Sequence, residues 1–185
     1  MYFKKHILAI AASVSMMSVG GVAMADNGLE TKPDMGQVEF VGTIIDSPCS
    51  ITPDTADQTV DMGMVSSAVL LEDGTQVVPF NIELLGCTAE AATSVSVKFT
   101  GTSAEGDDKS LAIQGAASGA AIELTDTATG DAIVLGIDTA ASTLYAGDNT
   151  LQFGAQLIKT SAVNDADDIV PGEFTATANF ELSYQ

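Results

Sequence analysis

Apolar and polar residues alternate with a period of two along most of this chain. Val60, Met62 and Met64 are separated by an aspartate and a glycine. The same spacing recurs at Phe80, Ile82 and Leu84, at Val95, Val97 and Phe99, and at Leu151, Phe153, Ala155 and Leu157. Such alternation places apolar side chains on one face of a sheet and polar ones on the other, which is the mark of a half-buried strand. Turn-forming clusters punctuate the runs: Glu72-Asp73-Gly74, Glu105-Gly106-Asp107-Asp108 and Ala146-Gly147-Asp148-Asn149. Short strands with this punctuation predict an all-β sandwich or barrel. The small, Ala-rich stretch 116–121 predicts a brief helical turn. No long segment has helical periodicity, and there is no tandem repeat and no sign of a second domain.

Two segments are good strands in unusual places. In the last fourteen residues every even position from Phe174 through Ala176, Ala178, Phe180 and Leu182 to Tyr184 is apolar or aromatic, and every odd one is polar. Near the other end Val38, Phe40, Gly42 and Ile44 alternate just before Cys49, after a polar, proline-containing stretch over residues 26–35. That stretch lacks the apolar content to pack. A loose leader therefore runs into a strand-competent segment.

The N-terminus fixes the compartment. Lys4, Lys5 and His6 precede an apolar run from Ile7 to about Val19, and Ala23-Met24-Ala25 fits the small-residue cleavage pattern of a secretory signal. Residues 1–25 are expected to be removed, leaving 160 residues, enough for one domain with its own core. Losing Lys4 and Lys5 takes the formal net charge from −19 to −21. Four lysines and no arginine then remain, so phosphate neutralisation, and with it nucleic-acid binding, is excluded. The only histidine is His6, so the exported chain has no imidazole for general-base, triad or metal chemistry. Carboxylate-only chemistry needs two acids converging in a cleft. The acidic residues instead scatter among loops such as Asp107-Asp108 and 165–168. Asp165, Asp167 and Asp168 lack the glycine and distal glutamate of a calcium loop. No catalytic residue, metal ligand or cofactor site is expected. Cys49 and Cys87, an even count in an oxidising compartment, are expected to pair, with Cα atoms about 4.4–6.8 Å apart.

Taken together, these residues resemble the chaperone–usher pilins. The stretch 36–49 is similar to that family's N-terminal extension leading to a first cysteine, and Cys87 follows an apolar strand over 80–86. Penultimate Tyr184, Gly172 fourteenth from the end and the alternation between them are similar to the family's C-terminal β-zipper. The likeness spans the whole exported chain. It implies an incomplete immunoglobulin-like β-sandwich lacking its last strand, completed by a donor strand from a neighbouring subunit. The division implied is a signal at 1–25, a donor extension at 26–45 and a pilin domain at 46–185. Val38, Phe40, Gly42 and Ile44 are the donor strand, with Gly42 where the groove floor comes too close for a Cβ. Gly172, Phe174, Ala176, Ala178, Phe180, Leu182 and Tyr184 form the groove-lining, chaperone-binding C-terminal strand, whose terminal carboxylate after Gln185 is gripped by basic residues of the chaperone.

The function implied is that of a structural subunit of an adhesive surface fimbria, exported through the periplasm with a chaperone and an outer-membrane usher. It polymerises head to tail on the cell surface without catalysis or cofactor. A tip adhesin has two domains, and 160 residues hold one. A minor adaptor or terminator pilin shares the same motifs. From a different class, a secreted carbohydrate-binding β-sandwich would share the acidic surface, although tryptophan is absent.

Overall fold

The computed structural model describes residues 35–88, 90 and 92–185. The expected signal segment 1–25 and the expected leader up to residue 34 lie outside them. The chain divides into two units, Met1–Thr43 and Ile44–Gln185. Of the first, residues 35–43 are described; they form neither helix nor strand and are exposed.

The second unit is built almost entirely of antiparallel strands: β1 (Ser50–Ile51), β2 (Val78–Cys87), β3 (Ser94–Gly101), β4 (Ser103–Ala104), β5 (Asp107–Ala112), β6 (Gln114–Gly115), β7 (Ala120–Asp126), β8 (Ser142–Thr143), β9 (Gly147–Lys159), β10 (Phe174–Thr175) and β11 (Ala178–Tyr184). Two short helices, α1 (Pro53–Ala56) and α2 (Ser67–Leu71), lie between β1 and β2. One sheet has the order β1-β2-β9-β7-β5-β4, a second β11-β3-β8, and β10 pairs with β6.

Register explains the core. In the larger sheet Phe80 lies opposite Phe153 and Ile82 opposite Leu151, while Ile122 faces Leu157 and Leu124 faces Ala155. In the smaller sheet Phe180 lies opposite Phe99, Leu182 opposite Val97 and Tyr184 opposite Val95. The two inner faces meet through Phe80, Phe99 and Phe153. Phe99 stands edge-on to the other two rings, with centroids 6.1 and 5.0 Å away. Edge-to-face geometry of this kind adds about 0.5–1.5 kcal/mol beyond the burial of the rings themselves. The result is an all-β, immunoglobulin-like sandwich with Ile82, Leu84, Val95 and Val97 fully enclosed. Cys49, just before β1, is bonded to Cys87 at the end of β2, with Cα atoms 4.2 Å apart, slightly below the expected range.

Three expectations need correction. Residues 116–121 form no helical turn. The amides of Ala116 and Ala117 both donate to the carbonyl of Glu173, and Ser118 bridges Val170, so this stretch is drawn alongside another segment and its small side chains permit the approach. Residues 59–65 form no strand in spite of Val60, Met62 and Met64: no strand lies beside them, and Gly63 sits at φ 67° with its N–H donating to Asp61 Oδ1. The left-handed residue breaks the alternation and leaves Met64 fully exposed. The C-terminal run is two strands, not one. β10 and β11 belong to different sheets, and the chain switches between them at Ala176 and Thr177, where the Thr177 carbonyl passes so close to Gly101 that a Cβ there would lie 2.8 Å away.

Candidate functional site

One side of the sandwich is open. A groove of about 1030 Å³ runs between residues 58–65 on one rim and 172–178 on the other. Its floor is apolar: Leu111 from β5, Ala120, Ile122 and Leu124 from β7, and Ala155 and Leu157 from β9. Alanines at two of these positions lower the floor and deepen the groove. Continuous burial along β7, from Ala120 to Ile122, explains why sequence alternation did not flag this strand. The run Ala-Ala-Ile-Glu-Leu directly after Gly119 is the one signal that marks it.

The rims carry unpaired backbone. β11 ends the order β11-β3-β8, so it is hydrogen-bonded along one edge only. Along the other rim, residues 59–65 make no backbone–backbone hydrogen bond among the described residues. Gln58 pins the start of this rim, donating from Nε2 to the carbonyls of Asn81 at 3.0 Å and Thr55 at 3.2 Å. Val60, Met62 and Val65 are half-buried. An apolar floor between two edges of unsatisfied backbone is a template for an added strand.

Of the anticipated C-terminal residues, Gly172, Phe174, Ala176 and Ala178 line this groove, whereas Phe180, Leu182 and Tyr184 lie beyond it along β11. Phe174, Ala176, Ala178, Phe180, Leu182 and Tyr184 are all partly buried and pack against the core, whereas Glu173, Thr175, Thr177, Asn179 and Glu181 are exposed. The alternation thus survives the change of sheet. Gly172 stands just ahead, pressed on Ala116 and Ala117, where a Cβ would come within 2.8–2.9 Å. Val38, Phe40 and Ile44 are 74%, 90% and 102% exposed, and no atom lies within 4 Å of a Cβ placed on Gly42.

Electrostatics add little chemistry here. On the outer face of the smaller sheet, Lys98 Nζ lies 3.0 Å from Glu181 Oε2. That hydrogen bond, then the Glu181 and Asp138 charges, raise the lysine pKa. The acidic loop 164–168 is occupied by its own backbone: Asp165 Oδ1 accepts from the Asp167 amide, and Asp168 Oδ2 accepts from the amides of Asn164 and Asp165. Among the described residues no three acidic or sulfur side chains converge on a metal position.

Comparison with known proteins gives a consistent picture. The family model described as "Fimbrial protein" matches residues 38–185. The major MR/P fimbria protein of Proteus mirabilis (strain HI4320) is 43% identical over 185 residues, covering 98% of this chain and 99% of that protein. The crystal structure of the P pilus rod subunit PapA superposes with a TM-score of 0.67 at 34% identity, over 75% of this chain and 100% of that one. A chaperone–usher pilus structure bearing on rod uncoiling superposes with a TM-score of 0.73 at 36% identity, over 82% and 96%.

Proposed function

The chain belongs to the fimbrial protein family and is a structural subunit of a fimbria, and on that premise we propose that it polymerises by lending residues 38–44 to the open groove of the next copy. Val38, Phe40 and Ile44 enter the groove, and Gly42 crosses the floor where a side chain does not fit. Seven residues in strand geometry reach about 20 Å, the length of the rim that the seven residues 172–178 provide. Each inserted apolar side chain contributes about 1.5–3 kcal/mol by transfer. Ladder bonds to the free edge of β11 satisfy backbone that is otherwise left to water.

The observation that carries this reading is a complementary pair within one sequence. An apolar groove with two unpaired rims occurs in the same chain as an exposed, alternating segment of matching polarity. Donor and acceptor are different surfaces, so the contact is head to tail and does not close, which builds a filament. Until a neighbour arrives, groove and rims invite aggregation. A periplasmic chaperone covers them, and an outer-membrane usher passes the subunit outward. The chain performs no catalysis and needs no cofactor. It serves as the main rod subunit, so it should dominate sheared fibres by mass.

The test removes the donor alone. A variant lacking residues 26–44 should accept a neighbour's strand and donate none. Mixed with intact subunits it should cap growing fibres and shorten them in proportion to its share. If the truncated variant polymerises alone, donor-strand assembly is wrong for this chain.

A further inference from the structure

After the signal segment the chain has no arginine and four lysines. Lys32 is followed by Pro33, a bond that proteases cutting after basic residues pass over. The other three lie in strands. Lys98 is mid-β3, opposite Glu181 on one side and bridged to Asp138 on the other; Lys109 is in β5, where its amide donates to Asp107 Oδ1 and no residue pairs opposite it, and Lys159 ends β9 opposite Ala120. Cleavage of such bonds waits on local unfolding.

Aromatic residues are distributed differently. Phe99 and Phe153 are buried, while Phe80, Phe174, Phe180 and Tyr184 are half-buried within strands. Two aromatics are widely exposed, Phe40 at 90% and Tyr145 at 69%. Tyr145 is clamped: its amide donates to Asn149 Oδ1 at 2.9 Å, and its carbonyl accepts from Asn149 Nδ2 at 2.7 Å. Phe40 has no such hold. Residues 35–47 make no backbone hydrogen bond among the described residues, and Val41 beside it is 87% exposed.

Resting on the donor-strand reading above, we infer that the Phe40–Val41 bond is the subunit's proteolytic checkpoint, open to aromatic-specific proteases before assembly and closed in the fibre. Such proteases read the residue before the cut with an apolar slot, whereas those specific for lysine and arginine read it with a buried acid. Water adds across the amide, leaving a carboxylate on Phe40 and an amine on Val41, and nothing is oxidised or reduced. The cut removes Val38 and Phe40 and turns a subunit that has missed its neighbour into one that only accepts. Basic-specific proteases leave both states intact.

The test compares the unassembled full chain with sheared fibres, each treated with chymotrypsin or with trypsin and followed by intact mass and N-terminal sequencing. The first chymotryptic product of the unassembled chain should begin at Val41, and the same cut in fibres should be at least about a hundredfold slower. Trypsin should leave both intact over the same interval. In Phe40→Val the product beginning at Val41 should vanish from the unassembled chain. A first cut at Tyr145, or tryptic cleavage after Lys98, Lys109 or Lys159 at a comparable rate, would overturn the inference. Equal cleavage at Phe40 in both states would leave the site standing and remove the donor-strand reading instead.

Discussion

At the scale of single residues, the positions that matter most are those where a side chain is missing or a charge is held. Gly42 is exposed here, so Gly42→Leu costs the isolated subunit nothing in contacts. In the fibre, on the donor-strand proposal, the added side chain would meet the groove floor. Fibre yield should fall at least tenfold while the amount of folded subunit stays constant; an unchanged yield would remove the close-approach role. Gly74 is a different case, with φ 80° and a Cβ position 2.7 Å from the Leu157 carbonyl. Gly74→Ala should destabilise the domain by about 1–3 kcal/mol, read from the denaturant midpoint. Two aspartates are held below the ordinary aspartate range. Asp107 is lowered chiefly by the Ser110 hydroxyl and then by the Lys109 amide, and Asp168 by the amides of Asn164 and Asp165. A depressed carboxylate stabilises the fold above its unfolded value and loses that contribution as pH falls through the lower native one. Both groups are at the surface, so the effect is local. Carbon-13 titration should find both carboxyl midpoints below those of exposed aspartates, with loop 164–168 loosening only below about pH 4.

Among elements, the disulfide and the strands around the groove set the architecture. The bond from Cys49 to Cys87 closes a separation of 38 residues that contains α1, α2, one rim and β2. Cys49→Ser with Cys87→Ser should cost about 4 kcal/mol by loop-closure entropy, measured as a shift in the unfolding midpoint under oxidising conditions. A loss near zero would mean that the rim is already ordered by its other contacts. Strands β2, β3 and β9 were legible directly, because polar residues such as Asn81, Ser96 and Gln152 stand between their core residues. β7 was not legible, since burial along it erases the period. The rim at 59–65 misled for the opposite reason: its alternation is real, but a strand exists only when something pairs with it. The C-terminal run read correctly in its polarity and wrongly in its continuity. Side-chain periodicity reports which face is buried, and the change of sheet at Ala176 and Thr177 leaves that face unchanged.

For the whole molecule, the dominant quantity is charge. With the expected signal removed, each subunit carries a formal −21, and the proposed donor extension 26–45 itself holds four acidic residues against Lys32. Asp61 and Glu173 sit on the two rims of the groove that this segment is proposed to enter. On the donor-strand proposal, polymerisation brings like charges together at every step, and the attraction that wins is short-ranged burial of Val38, Phe40 and Ile44. Long-range repulsion acts on the approach, and salt screens it: the Debye length falls from about 30 Å at 0.01 M to about 8 Å at 0.15 M. The inserted strand is shielded from salt once seated, so its dissociation should barely change. Association should accelerate by about tenfold across that range, the reverse of the slowing that salt imposes on oppositely charged partners. The measurement is the initial rate of fibre growth from purified subunits at neutral pH against sodium chloride concentration, with fibre dissociation followed in parallel. A rate that falls with salt would mean that the docking surfaces carry complementary charge, and that the few lysines, Lys98 beside Glu181 among them, steer assembly in spite of the net charge.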